Sequence, residues 1–240
     1  MDALAARLIL SASGLTAGRL CRLLHACGSP EAVLEATDED LLAVTGITAL
    51  EVRKLRQAAR TVNGPALRAK LEEWSGRLLA CTDEAYPALL RETPDPPALL
   101  FVQGEPHHRD EMAVAIVGTR KCTPYGAMVA RRLAGDLARR GFTIVSGLAL
   151  GIDAAAHEGA LEAGGRTLAV MASGLDVTYP SEHRALRERI VASGQVLTEQ
   201  PFGMPPLAAL FPVRNRLVAG LALGTIVVEA PTQSGAMITA

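Results

Sequence analysis

Two stretches of sequence, AVAIVGTRKCTPYG at residues 113–126 and FTIVSGLALGIDAAAH at residues 142–157, decide the fold because they repeat one pattern. In each, a short apolar run is followed by a glycine-containing turn and then by helix-forming residues. The apolar runs do not alternate with polar residues, which is typical of strands buried on both faces of a parallel sheet. The sequence therefore predicts a three-layer α/β domain in which helices cover a parallel sheet.

The same pattern continues toward the C-terminus, and residues 113–240 are predicted to form this domain. Further helices and strands are expected at residues 127–140, 152–163, 167–171, 181–191, 196–198 and 225–229. The last residues, SGAMITA at 234–240, are typical of the opening of a helix. We therefore expect the domain to be truncated at the C-terminus.

Residues 1–75 carry apolar side chains at helical spacing and are predicted to form a separate all-helical domain. Within it, residues 13–20 and 45–52 each place Gly-Leu-Thr or Gly-Ile-Thr before a helix, as a helix-hairpin-helix turn does. Such a turn presents helix N–H groups that can bind a phosphate. Because Thr16 and Thr48 replace the usual second glycine, a small packing or interaction bundle is the favoured alternative.

The two predicted domains are joined by a Pro-rich junction at residues 76–112. Its five prolines exclude a long helix, because proline lacks the backbone N–H that a helix interior requires. Short apolar pieces at residues 78–81 and 98–102 are expected to add strands to a neighbouring sheet.

The composition indicates a globular chain, because 49% of the 240 residues are hydrophobic and can bury a sizeable core. The formal net charge is −1, but residues 118–220 carry twelve Lys and Arg against eight Asp and Glu, a local excess of +4. This uneven balance permits an anionic ligand in the α/β domain. Aromatic residues make up only 3%, which argues against a broad aromatic platform for nucleic acid.

The four cysteines, at positions 21, 27, 81 and 122, form no C-x-x-C pair, and no histidine cluster completes a zinc site. We therefore expect no metal. The N-terminus lacks the pattern of a leader, and no segment approaches the ~18 apolar residues of a membrane span. These features predict a reduced, cytoplasmic protein.

Polar residues follow the predicted strands at the points where each strand ends. Parallel strands place their carboxyl ends at one edge of the sheet, where ligands bind beside helix N-termini. The first turn brings Arg120 and Lys121 to this edge, and the second offers Ser146 and the backbone of Gly147 as donors for a phosphate. The turns do not match G-x-G-x-x-G, so a nicotinamide cofactor is disfavoured and no cofactor is expected.

The most polar stretch of the domain is FPVRNR. Its Arg214 and Arg216 can each bind phosphate with two hydrogen bonds, and Asn215 can read a base edge or hold the backbone. A purely structural role stays open for three candidate residues: a helix N-cap for Asn215 and Asp153, and half-buried packing for His157.

Five ordered stretches together resemble the DNA-processing protein A (DprA/Smf) family. They are GTR with YG in 118–126, SGLALGIDAAAH at 146–157, GLDVTYP at 174–180, FPVRNR at 211–216, and the segment 228–240. The N-terminal helices also resemble the sterile-alpha-motif-like (SAM-like) domain of that family. The resemblance implies an extended Rossmann fold without catalytic activity.

The resemblance also implies a function and its residues. Members bind single-stranded DNA, form homodimers, protect incoming strands in natural transformation, and help to load the RecA recombinase while displacing single-strand-binding protein. The DNA contacts carried over to this chain are Arg120, Lys121, Ser146, Gly147, Arg166, Arg214, Asn215 and Arg216. Arg166 stands where many relatives have lysine.

Two other classes of function remain open. One is a nucleoside-monophosphate phosphoribohydrolase of the lysine-decarboxylase-like (LOG) group, which shares this type of sheet but needs a Pro-Gly-Gly-x-Gly-Thr-x-x-Glu loop. The corresponding residues 231–239, PTQSGAMIT, contain one glycine and no acid, which argues against it. The other is a protein-interaction scaffold, which would not retain single-stranded DNA even at low salt.

Overall fold

The computed structural model describes residues 2–231 and residue 235, and the chain divides into two compact units. The first unit comprises residues 1–86 and 93–101, and the second comprises residues 87–92 and 102–240. The predicted junction is thus shared between the two units. Apart from Gly235, the helix predicted for residues 234–240 lies outside the described residues.

Six helices and a strand build most of the first unit. They are α1 at Ala3–Ser11, α2 at Ala17–Cys27, α3 at Pro30–Glu35, α4 at Asp38–Ala43, α5 at Ala49–Thr61, α6 at Gly64–Glu73 and β1 at Gly76–Ala80. Their apolar faces enclose Leu8, Leu23 and Leu41, whose side chains are fully buried. Ser29 and Thr37 begin α3 and α4 as N-caps, and each side chain accepts a hydrogen bond from a backbone N–H in the first turn.

Both predicted glycine turns join helices, because Gly14 and Gly46 adopt φ angles of 69° and 82°. At the second turn, the Glu51 carboxylate accepts hydrogen bonds from the backbone N–H and the hydroxyl of Thr48, both at 2.8 Å, and pairs with Arg19. This carboxylate occupies the helix N-terminus that a phosphate would need. The geometry therefore favours packing over phosphate binding at this turn.

The second unit alternates strands and helices. In chain order it contains α7 at Ala88–Arg91, the end of β2 at Leu99–Gln103, β3 at Ala113–Gly118, α8 at Pro124–Arg139, β4 at Thr143–Ser146, α9 at Ile152–Glu162, β5 at Thr167–Val170, α10 at Arg184–Ser193, β6 at Gln195–Thr198, α11 at Leu210–Gly220 and β7 at Thr225–Val228, with short 3-10 helices at His108–Glu111 and Ser181–His183. Helix α8 begins three residues earlier than predicted, because Thr123 caps it by accepting a hydrogen bond from the Gly126 N–H at 3.0 Å.

Strands β3 to β7 pair in parallel, in the order β6-β5-β4-β3-β7. The chain moves outward from β3 through β4, β5 and β6, and then returns to place β7 on the other side of β3. Such a reversal of strand order creates a crevice at the carboxyl ends of the central strands. The predicted α/β fold with a Rossmann-like parallel sheet is thus confirmed.

Small side chains fill the layer between this sheet and its covering helices. Ala130 and Ala134 of α8 and Ala156 and Ala160 of α9 are fully buried, which lets the two helices pack closely. This packing fixes the helix N-termini beside the strand ends. Within the described residues, no helix combines the length and the apolar character needed to cross a bilayer.

Candidate functional site

A pocket of about 400 Å³ lies at the carboxyl edge of the sheet, where β3 is flanked by β4 and β7. Its walls are the loops after these strands, the first turn of α9 and one face of α11. The lining residues are 117–121, Gly147, Ala149, Asp153, Phe211, Pro212, Arg214, Asn215, Val218, Pro231 and Gly235. Its volume is in the range of small-ligand pockets, roughly 300–1,000 Å³.

Two exposed cations, Arg120 and Lys121, line this pocket. Arg120 Cζ lies 4.5 Å from the centroid of the Phe211 ring, a cation–π distance. The edge of Tyr179 packs against the same ring, with the centroids 5.8 Å apart. Within residues 2–231 and 235, neither the Arg120 guanidinium nor the Lys121 ammonium has an ionic or hydrogen-bonding partner. Both charges are therefore available to an anionic ligand.

Arg214 forms part of the pocket wall and is only 5% exposed. Its guanidinium donates to the carbonyl of Gly147 at 2.6 Å and to the carbonyl of Val170. Burial lowers the pKa of Arg214 to about 10, so the side chain remains charged at neutral pH. Position 147 requires glycine, because a Cβ there would overlap the guanidinium. Arg214 thus ties α11 to the strand ends of β4 and β5.

The buried Asp153 carboxylate supplies the counter-charge to Arg214. Burial raises the pKa of Asp153, and the charge of Arg214 opposes that rise. Its Oδ2 accepts hydrogen bonds from the N–H groups of Gly147 at 3.2 Å and Ala149 at 3.3 Å. The N-cap of α9 is Gly151 rather than Asp153. Asp153 therefore orders the loop after β4.

Ser146 and Gly147, predicted as donors to a ligand, use their donors inside the protein. Ser146 is fully buried, and its hydroxyl donates to the Ile116 carbonyl at 2.6 Å. The N–H of Gly147 is bound by Asp153. Both residues therefore use these donors to shape the loop.

Asn215 and Arg216 are neighbours on α11 with different surroundings. Asn215 lines the pocket, where its Nδ2 donates to the Gly235 carbonyl at 2.9 Å and its Oδ1 accepts from Arg214 Nε at 3.2 Å. It lies in the middle of α11 and is not a helix N-cap. Arg216 instead pairs with Glu199 and is not among the described residues that line the pocket.

Arg166 is not brought together with the other predicted residues. It directly precedes β5, so it lies at the amino edge of the sheet, opposite the pocket. Its Nε and Nη2 donate to the Asp110 carboxylate at 2.6 and 2.7 Å, and Nη2 also donates to the Glu105 carbonyl at 2.5 Å. Its charge is therefore used within the protein.

His157 belongs to the core rather than to the pocket. It is fully buried on α9, and its Nδ1–H donates at 2.7 Å to the hydroxyl of Thr167, which itself donates to the Ile144 carbonyl at 2.8 Å. Burial lowers the pKa of His157 to about 3, so the ring is neutral. Of the two roles open to it, the structure favours packing.

Two residues to which sequence reasoning gave no role support Arg120 and the loop that carries it. Phe211 supplies the ring beneath Arg120, and its aromatic character in a chain poor in aromatics was an available signal. Glu229 follows β7 and accepts hydrogen bonds from the N–H and the hydroxyl of Thr123, both at 2.9 Å. No local signal marked Glu229, because its partner lies 106 positions earlier.

Comparison with known proteins shows the family to which the chain belongs. The family model described as DNA recombination-mediator protein A matches residues 77–240. The chain is 47% identical over 168 residues to Protein Smf of Synechocystis sp., covering 68% of this chain and 42% of that protein. It is 37% identical over 238 residues to Protein Smf of Escherichia coli, covering 97% and 61%. The chain thus spans less than two thirds of the length of these curated relatives.

Two solved structures are also similar. DNA processing protein A (DprA) from Streptococcus pneumoniae has a TM-score of 0.82 and 34% identity, covering 96% of this chain and 79% of that chain. DprA from Helicobacter pylori, whose structure concerns its single-stranded DNA binding mode, has a TM-score of 0.63 and 34% identity, covering 69% and 74%. Because the family model matches well over half of the sequence, this chain belongs to the DNA recombination-mediator protein A family, in which the proteins named DprA and Smf are found.

Proposed function

We propose that this chain binds single-stranded DNA at the pocket, with Arg120 and Lys121 as its contacts to phosphate. The observation that carries the proposal is the exposure of both cations at the carboxyl edge of the sheet, without a partner in the described part of the chain. The Helicobacter pylori relative binds single-stranded DNA, which supports the same class of ligand here.

The chemistry of the site suits a single strand because such a strand exposes its phosphates and its base faces together. Arg120 and Lys121 attract phosphate, and the exposed ring of Tyr179 beside Phe211 offers apolar surface to a base. In a duplex the base faces are stacked inside and unavailable to such contacts. Binding of this kind falls steeply with salt and tolerates many sequences.

The wider role is part of the same proposal. The protein acts in natural transformation and recombination as a homodimer, protects single strands, and helps to load the RecA recombinase in place of single-strand-binding protein. The family resemblance supports these roles, together with a cytoplasmic location and a binding rather than an enzymatic activity. These roles are proposed for the whole protein, because the matched relatives are longer than this chain.

Replacing Arg120 and Lys121 together by alanine is expected to weaken binding of a single-stranded oligonucleotide at least about tenfold at low salt. Each lost phosphate contact also makes the negative slope of log affinity against log salt shallower by about 0.7. The slope of the double variant is therefore expected to be shallower by about 1.4. Mobility shift and fluorescence anisotropy with matched single- and double-stranded oligonucleotides measure both quantities.

Arg140→Ala is the matched control, because Arg140 is exposed at the far end of α8 and donates to the carbonyl of Asp136. This variant is expected to keep the parent affinity and slope. An unchanged affinity and slope in the double variant would overturn the proposed contacts. Release of base from AMP that disappears in Arg120→Ala would establish the phosphoribohydrolase instead.

Replacing Arg166 by alanine is expected to leave oligonucleotide affinity within about twofold of the parent, because its charge is bound to Asp110 at the opposite edge of the sheet. The variant is expected instead to lose about 2 kcal/mol of unfolding free energy, since it removes charged hydrogen bonds from a largely buried group. Urea unfolding and anisotropy on the same preparation separate the two effects. Weaker oligonucleotide binding by a variant whose unfolding free energy is unchanged would show instead that Arg166 contacts DNA.

A further inference from the structure

Three potential metal ligands converge in the first unit, whereas the pocket belongs to the second. Cys21 and His25 lie one helical turn apart on α2, and Cys81 follows β1. Their ligand atoms all lie within 4.8 Å of one another, and the two Sγ atoms are 3.1 Å apart. Elsewhere in residues 2–231 and 235, no other group of three or more Cys, His, Asp or Glu side chains meets in this way.

Burial shapes this cluster as a site with one open side. Cys81 is fully buried and Cys21 is 7% exposed, whereas His25 is exposed. The two sulfurs therefore lie in the apolar interior, and the imidazole covers them on the solvent side. An ion held there would have three protein ligands and one position open to water.

The donor set selects the ion. Two thiolates and one imidazole are the ligands that zinc prefers, with Zn–S distances of about 2.3 Å and Zn–N distances of about 2.0 Å. Tetrahedral geometry at these lengths places two sulfurs about 3.8 Å apart, whereas the two Sγ atoms are 3.1 Å apart, so the pair must separate by about 0.7 Å to hold the ion. We propose that Cys21, His25 and Cys81 bind a zinc ion that joins α2 to the end of β1.

Sequence reasoning missed this site for a physical reason. The spacing from Cys21 to His25 is a helical turn, whereas common zinc motifs have C-x-x-C. The third ligand, Cys81, lies 60 positions after Cys21 in the chain. Only the tertiary packing of the first unit brings the third ligand beside the first two. The expectation that no metal binds is therefore revised by this proposal.

The test is a titration of the full, reduced, metal-free chain with cobalt(II), which reports thiolate ligands by its absorption, followed by displacement with zinc. One cobalt ion per chain with the visible bands of tetrahedral thiolate coordination is expected, and zinc is expected to abolish them. Cys21→Ser and Cys81→Ser are expected to weaken zinc binding at least about 100-fold, and His25→Ala at least about tenfold with shifted cobalt bands.

Cys27→Ser, which alters the last residue of the same helix, is the matched control and is expected to keep the parent spectrum and affinity. Because His25 is exposed, its variant also tests the proposal if either buried cysteine variant fails to fold. Absence of cobalt bands in the folded, reduced chain would overturn the proposal. So would bands that persist unchanged in His25→Ala, or a Cys21–Cys81 disulfide in a chain that binds no metal once reduced.

Discussion

Replacing Arg214 by alanine is expected to lower the free energy of unfolding by about 3 kcal/mol. The change removes charged hydrogen bonds to the carbonyls of Gly147 and Val170 and leaves both carbonyls buried without this donor. It also leaves the buried carboxylate of Asp153 without its nearby positive charge. Urea-induced unfolding followed by circular dichroism measures the loss.

Two further variants define what this loss means. Arg214→Lys keeps the charge but lacks the planar group that donates in two directions, so a smaller loss is expected. Val213→Ala alters an exposed neighbour on α11 and is expected to change stability by less than about 0.5 kcal/mol. Where Arg214→Ala remains folded, we expect weaker binding of oligonucleotides of every sequence, because the loop around Gly147 loses its support. A loss below about 1 kcal/mol would contradict the structural role of Arg214.

Lowering the pH from 7.5 to 4.5 is expected to remove about 3 kcal/mol of stability through His157 alone. Burial lowers the pKa of His157 to about 3 in the folded protein, whereas the ordinary value of 6.5 applies when the chain is unfolded. The unfolded chain therefore takes up a proton as the pH falls below 6.5, and the folded chain does not. Stability is present above pH 6.5 and is lost progressively down to about pH 3.

His157→Gln isolates this effect from the carboxylates that titrate in the same range. Glutamine does not ionise, and its side-chain amide retains an N–H that can donate toward Thr167. Urea unfolding of both proteins at pH 7.5 and pH 4.5 is expected to show a smaller acid-induced loss in the variant by about 3 kcal/mol. Equal losses in the two proteins would show that His157 is protonated in the folded state.

Local patterns were sufficient to predict strands β3 to β7 and helices α8, α9 and α10 of the second unit. They did not predict the start of α11, which begins at Leu210 and not after an N-cap at Asn215. The uninterrupted apolar run at residues 113–117 predicted β3, because a strand covered on both faces needs no polar alternation. The helix after this strand was also predicted, although α8 begins at Pro124, three residues before the predicted start. The position of β7 beside β3 was not predictable in this way, because it depends on pairing between residues far apart in sequence, such as Ala115 with Thr225.

The candidate site was likewise predictable from the sequence only in part. Arg120 and Lys121 follow a strand end, so their place at the carboxyl edge was predictable. An arginine in the sequence does not reveal whether it faces a ligand or binds backbone carbonyls, and Arg214 does the latter within the pocket wall. The placement of Arg166 away from the pocket could have been predicted from the sequence, because a residue directly before a parallel strand lies at the opposite edge of the sheet from one that follows it.

The hydrogen bonds between Thr123 and Glu229 join residues 106 positions apart. This separation determines how long the loop after β3 exists during synthesis before its partner residue has been added. At about 5–20 residues per second, a ribosome needs roughly 5–20 s to add the intervening residues. Throughout that interval one flank of β3 exposes unpaired amide and carbonyl groups that invite pairing with other chains. During the same interval the loop that carries Arg120 lacks its hydrogen bonds to Glu229, so the proposed site cannot take its final form before residue 229 has been added.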